Sequence, residues 1–182
     1  MVDKLYVMRD ATYAKGLDDL IQYVKERGDT KTMTMIEIGS YAGESTQMFA
    51  NEFKRVIAID PFINDYDPND ITCTFMELEK VYDTFKEVVD RNGNIEHIRM
   101  TSDDAVNQLI DMKVDFIYID GLHTYEQIKK DITNYLPLLK SNCLIGGHDY
   151  HRNWDGVMRG INELLGAPDA TFSDTSWIKL IK

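Results

Sequence analysis

One stretch constrains the fold of this chain more than any other: Met33-Thr34-Met35-Ile36-Glu37-Ile38-Gly39-Ser40-Tyr41-Ala42-Gly43-Glu44-Ser45. A short apolar run carrying one acid leads into a turn with two glycines and then into a helix start. About twenty residues on, a second apolar run, Val56-Ile57-Ala58-Ile59, ends in Asp60. Strand, glycine turn, helix, strand, acid is the layout of a nucleotide-type βαβ unit. Glycine spacing narrows the ligand. A dinucleotide site uses G-x-G-x-x-G, which lets a helix N-terminus approach a pyrophosphate. Here the pattern is Gly39-x-x-x-Gly43, with Glu37 expected to point into the turn. That carboxylate would repel a pyrophosphate and suits a ligand carrying an ammonium group and a ribose.

Length and composition bound the class of chain. With 182 residues the chain has the size of one domain. Residues 1–30 read as an N-terminal helical extension and residues 31–182 as a cofactor-binding core. At 43% hydrophobic the chain can bury a sizeable core. A net charge of −11 argues against nucleic acid and against an anionic membrane surface as partners. The start, Met1 to Leu5, has no signal-peptide hydrophobic region, and no apolar run approaches membrane-spanning length. Cys73 and Cys143 lie far apart, outside any C-x-x-C, which fits packing roles in a reduced, cytoplasmic setting.

Along the chain, β and α patterns alternate. Leu17, Leu20, Ile21 and Val24 form a helical stripe between Asp10 and Arg27. Strands are expected at Met33 to Ile38, Arg55 to Ile59, Ile95 to Met100, Val114 to Ile119 and Cys143 to Gly146. Helices are expected from near Gly43, from Phe75 to Asp90, after Ser102, through Ile128, Ile132, Leu136 and Leu139, and through Val157 to Leu165. Two short closing strands, Ala170 to Ser173 and Trp177 to Ile181, are joined too tightly for a crossover helix and should be antiparallel. The fold class is α/β, a Rossmann-like doubly wound sheet of seven strands, mostly parallel with an antiparallel C-terminal strand. The helix before the first strand is open to three roles: packing, covering the active site, or a homodimer contact.

Ligands of open α/β sheets bind beyond the carboxyl ends of the strands. After the third strand come Thr101-Ser102-Asp103-Asp104, where Ser102 or Asp103 can cap a helix. After the fourth come Asp120-Gly121-Leu122-His123-Thr124-Tyr125, and after the fifth Gly146-Gly147-His148-Asp149-Tyr150-His151. Three of the four histidines fall in these two loops. Asp120, His123, His148, Asp149 and His151 are therefore expected to converge at one end of the sheet. Trp154 offers a ring near the same loop but is expected to lie half-buried. Tyr41 and Tyr125 either line a pocket or cover the sheet end. Asp65, Asp67, Asn69 and Asp70 have a calcium-loop composition without its spacing and read as a solvated loop.

Taken together these motifs resemble the class I S-adenosylmethionine-dependent methyltransferases, whose first motif reads acid-x-Gly-x-x-x-Gly. The resemblance runs from about Met33 to the end. It sharpens in Ile119 to Tyr125, Pro137 to Lys140, Gly147 to Tyr150 and Gly156-Val157, which look like a group of small O-methyltransferases acting on sugars and other small molecules. It implies S-adenosyl-L-methionine as cofactor. The turn residues Glu37, Gly39, Ser40, Tyr41, Gly43 and Ser45 would then lie under its methionine part. Asp60 would take both ribose hydroxyls. Ser102 and Asp103 would reach the adenine, and Pro61, Phe62 and Asp120 would complete the site. Phe62 is placed equally well to stack on the base or to pack in the core.

Metal-dependent relatives hold magnesium at positions matching Asp120, His148 and Asp149. His148 stands where those enzymes place an acid, which weakens magnesium and favours manganese, iron, zinc or no metal. Two mechanisms follow. Either a divalent ion on Asp120, Asp149 and His148 activates a substrate hydroxyl, or His148 or His123 removes its proton, oriented by Asp120 or Asp149. The second has the better fit to an imidazole. The rivals are an NAD-linked oxidoreductase, a metal-dependent hydroxylase-like relative, and a non-catalytic nucleoside-binding regulatory module. The missing G-x-G-x-x-G disfavours the first, and the His and Asp cluster the last.

Overall fold

The computed structural model describes residues 10–66 and 77–182. The chain start, Cys73, the start of the second core helix at Phe75, and the acidic loop from Asp67 through Asp70 lie outside the described residues. Parallel strands β1 (Thr34–Ile38), β2 (Arg55–Ile59), β3 (Ile95–Ile98), β4 (Val114–Ile119) and β5 (Leu139–Gly147) alternate with helices. The helices are α1 (Ala11–Lys25), α2 (Glu44–Glu52), α3 (Leu78–Arg91), α4 (Ser102–Leu109), α5 (Tyr125–Tyr135) and α6 (Asp155–Leu165). β6 (Ala170–Thr171) and β7 (Trp177–Ile181) close the chain. The sheet order is β3-β2-β1-β4-β5-β7-β6, with β7 antiparallel to both neighbours. This is the doubly wound, mostly parallel seven-stranded sheet read from the sequence. Among the described residues no helix is long and apolar enough to cross a membrane.

Side chains alternate across β1 with period two. Met35 joins Phe49, Phe53, Phe116 and Tyr118 under α1 and α2, while Ile36 and Ile38 face the cluster under α5 and α6. α1 is capped by Asp10, whose carboxylate accepts from Thr12 N and Tyr13 N. Its Leu17, Leu20, Ile21 and Val24 are all buried, so the N-terminal helix is part of the core. Gly16 allows this seating: a Cβ there would stand 2.4 Å from Asp174 Oδ1 and 2.5 Å from Asp174 N.

One boundary departs from the sequence reading. Leu136 and Leu139 continue the apolar spacing of α5, yet the helix stops at Tyr135, and Leu139 already begins β5. Pro137 is the cause. Leu136 still has helical backbone, but Pro137 has no N–H for the next bond of the ladder, so Leu136–Leu138 tightens to a 3-10 turn.

The strand order reverses between β1 and β4, the switch point where such sheets bind ligands. Backbone bonds run one residue past the strands here. Gly39 N donates to Ile59 O at 2.8 Å, Asp120 N to Ile38 O at 2.7 Å and His148 N to Ile119 O at 3.0 Å. The first residues after β1, β4 and β5 are thereby fixed side by side.

Candidate active site

The glycine turn is built for close approach. Gly39 (φ +85) and Gly43 (φ +87) both adopt left-handed backbone. A Cβ at Gly39 would lie 1.9 Å from the carbonyl oxygen of Asp120. Tyr41 (φ +43), Phe62 (φ +51) and Asp149 (φ +61) are left-handed without being glycine, and each follows a strand end. Such backbone strain concentrates at functional sites. Ser40 Oγ is buried in the turn with no hydrogen-bond partner among the described residues. A buried hydroxyl of this kind suits a polar ligand group.

Glu37 does not face the ligand side of the turn as the sequence suggested. It is fully buried and accepts from Ser45 Oγ at 2.5 Å and Thr46 Oγ1 at 2.6 Å. Its carboxyl group therefore sits at the N-terminus of α2. Ser45 is committed to that bond, and Thr46 is a partner the sequence reading missed. Asp60 ties two strand ends together: Oδ2 accepts from Ser40 N (3.1 Å) and Tyr41 N (2.9 Å), and Oδ1 from Phe62 N (2.9 Å). Burial raises its pKa, opposed by those three backbone donors.

A cleft of about 660 Å³, open in part to solvent, lies over the switch point. Gly39, Tyr41, Asp60, Pro61, Ser102, Asp120 and His123 line it, drawn from the ends of β1 to β4. Phe62 is only 4% exposed and packs with Tyr82, Phe85 and His97 instead.

The histidine and aspartate residues after β4 and β5 meet beside this cleft. His123 Nε2 is 2.8 Å from Asp149 Oδ2. His148 Nδ1 is 3.2 Å from Asp149 Oδ1 and 3.7 Å from Asp120 Oδ1. Burial works to raise the Asp149 carboxyl, but the hydrogen bonds and charges of His123 and His148 outweigh it and hold the group below the usual carboxylate range. Trp154 stacks on His123 at 4.4 Å, and Tyr13 of α1 brings its ring to 6.2 Å from His148. Among the described residues, oxygen or nitrogen atoms of Asp120, His123 and Asp149 lie within 4.8 Å of one another, close enough to hold an ion; the group expected from the sequence was Asp120, His148 and Asp149. His151 stays out of the cluster and accepts from Asn153 N at the turn before α6. Tyr125 points along α5 and α6, bonded to Glu163 with Arg159 over its ring.

Behind the cleft is a buried polar group the sequence reading missed. Thr101, and not Ser102 or Asp103, caps α4. Ser102 Oγ instead donates to Asp131 Oδ1 of α5 at 2.6 Å, and Gln127 Nε2 reaches the same oxygen at 3.0 Å. Burial pushes the Asp131 carboxyl up to about 6, against the pull of those two bonds. A signal was present. Asp131 shares a helical face with Ile128 and Tyr135, and a carboxylate on an apolar stripe needs partners.

Comparison with known proteins bears on this arrangement. A family model described as a methyltransferase domain matches residues 36–150, more than half of the chain. An uncharacterized protein of Acanthamoeba polyphaga mimivirus is 25% identical over 141 residues, 73% of this chain and 59% of that protein. The chain thus spans about three fifths of the length of that relative. The crystal structure of an O-methyltransferase from Bacillus cereus, in complex with SAH, superposes with a TM-score of 0.69 at 18% identity, covering 98% of this chain and 85% of that one. A calicheamicin methyltransferase gives 0.68 at 16% identity, with 96% and 80% covered. At these identities the two structures show a shared fold.

Proposed function

Because the chain belongs to the family of this methyltransferase domain, we propose that it transfers a methyl group from S-adenosyl-L-methionine to a hydroxyl oxygen of a small molecule or sugar. One observation carries the reading. The glycine turn, Asp60 and the loop from Asp120 to His123 wall a single cleft, and the His123–Asp149–His148 cluster stands at its side. The chemistry of the turn fits the cofactor: a left-handed glycine cradle, an orphaned Ser40 hydroxyl and an acid after β2. When bound, the cofactor supplies an electrophilic methyl group on a sulfonium.

The protein's own part is proton handling and alignment. His148 Nδ1 faces Asp149, which favours the tautomer with the proton on Nδ1 and leaves Nε2 as the base. That nitrogen would take the acceptor's hydroxyl proton as the methyl group passes from the sulfonium sulfur to the oxygen, with the neutral thioether as the leaving group. Asp149 stabilises the resulting imidazolium. His123, held by the same carboxylate and by Trp154, fixes the geometry. Tyr13 closes the side nearest His148.

A second reading rests on the compact Asp120, His123 and Asp149 set. These residues would hold a divalent ion, with the imidazole favouring manganese, iron or zinc over magnesium, to lower the pKa of the acceptor hydroxyl. Turnover of methyl-labelled cofactor over a panel of phenolic and sugar acceptors separates the two. For the base, His148→Ala costs roughly two to four orders of magnitude in kcat and chelation leaves turnover intact. Loss of activity on chelation, restored by a divalent ion, supports the metal. Near-normal turnover in both His148→Ala and His123→Ala rules out the histidine base.

A further inference from the structure

Ser102 opens α4 and also lines the cleft. Its hydroxyl has one proton to give and two lone pairs to offer. The proton goes to Asp131 Oδ1 at 2.6 Å. One lone pair accepts from Gln127 Nε2 at 3.1 Å. The same Nε2 lies 3.0 Å from Asp131 Oδ1 and 3.2 Å from Asp103 Oδ1, so it is the amide nitrogen of Gln127, not its oxygen, that faces these acceptors. Tyr135 OH donates to the Ser102 carbonyl at 2.8 Å and pins the residue itself. Ser102, Gln127 and Asp131 are 6%, 6% and 1% exposed, so water cannot readily replace any of these bonds. What remains for the cleft is one lone pair, an acceptor and nothing else.

We propose that Asp131 and Gln127 are positioning residues that make Ser102 an acceptor-only contact, so that the cleft selects a purine bearing a 6-amino group over a 6-oxo purine. This rests on the reading of the cleft as an adenosyl site. The cleft's other walls include Pro61, Ile63, Tyr66 and Leu122, apolar surfaces suited to the faces of a flat heterocycle, with Ser102 for its edge. A 6-amino group brings an N–H to the lone pair. A 6-oxo group sets a second lone pair against it. Ser102 cannot turn its proton toward that oxygen without leaving the buried Asp131 carboxylate short of a donor.

The test is calorimetric binding of S-adenosylhomocysteine and of S-inosylhomocysteine, its 6-oxo counterpart, to wild type, Asp131→Leu and Ser102→Ala. Wild type is expected to favour the adenosyl ligand by roughly 10- to 100-fold, the factor for one buried polar group left unsatisfied. Asp131→Leu exchanges a buried carboxylate for an apolar group of similar volume, a change that cores often tolerate. It frees the serine proton, so the preference falls to within about threefold while S-adenosylhomocysteine still binds. Ser102→Ala removes the contact itself and should lose the preference equally, whatever the folding of the leucine variant. A merely structural role would weaken both ligands together and leave their ratio unchanged. Equal binding of both ligands by wild type, or full preference retained in the variants, overturns the inference and leaves the cofactor reading standing. A wild type that binds neither ligand overturns both.

Discussion

Replacing Gly39 by alanine adds one methyl group at the point where β1 meets β4. Its Cβ would sit 1.9 Å from Asp120 O and 2.5 Å from Asp120 C, and the closer contact must open to at least 3.0 Å. The obstacle is backbone, not a side chain that can swing away. The φ of +85 adds a second cost, about 1–2 kcal/mol for a residue with a Cβ in left-handed backbone. Overpacking that shifts backbone costs about 1–3 kcal/mol more. The variant should lose about 2–5 kcal/mol, which for a chain of this size lowers Tm by roughly 5–15 °C. Gly43→Ala is the control. It has a similar φ, but its nearest neighbours are side-chain atoms of Val88 and Phe85 at 3.0 Å and 3.1 Å, which can yield. It should lose only about 1–2 kcal/mol. Calorimetric melts of the two variants measure the difference. A Gly39→Ala protein that melts within two degrees of wild type, or no lower than Gly43→Ala, would refute the close-approach argument.

Three further outcomes follow from buried polar groups and the seating of α1. Thr46→Val removes a hydroxyl donor to the buried Glu37 and should cost about 1–3 kcal/mol by urea unfolding; a neutral result means that Glu37 is satisfied otherwise. Asp131 has a native pKa of about 6, above its unfolded value of 3.8, so it adds stability below the unfolded value that is lost as pH rises through 6. Relative to Asp131→Leu, wild type should lose up to about 3 kcal/mol between pH 4 and pH 8, and a difference that ignores pH contradicts the assignment. Gly16→Ala improves helix propensity by up to about 1 kcal/mol, yet its Cβ meets Asp174 backbone at 2.5 Å. A net loss of about 1–2 kcal/mol in unfolding experiments is expected, and a gain would show that α1 is not seated as described.

Much of this was legible in the sequence because local pattern and tertiary role coincide there. Val114 to Ile119 is apolar at nearly every position because β4 is buried on both faces, and Gly39 and Gly43 mark backbone that only glycine enters without strain. Asp120, His123, His148 and Asp149 could be brought together by topology alone, since β4 and β5 are neighbours. What stayed hidden depends on rotation about an axis or on a single turn. Glu37 could face the cleft or the helix, and only the phase of α2 puts Ser45 and Thr46 within its reach. His151 follows Asp149 by two residues, but the left-handed Asp149 turns the chain away. Leu139 fits a helix stripe and a strand equally, and Pro137 decides between them. Asp131 shares a face with Ile128 and Tyr135, which marks it as buried, but its partner Ser102 comes from another helix.

The central claim is that the glycine turn and Asp60 form an adenosyl site, and titration calorimetry tests it most directly. Wild type and Asp60→Ala are titrated with S-adenosylhomocysteine, with NAD as the control ligand. Micromolar binding by wild type, lost in Asp60→Ala and absent with NAD, is the expected result. Clear heat with NAD and none with S-adenosylhomocysteine would contradict the reading of the turn and the methyl-transfer function built on it.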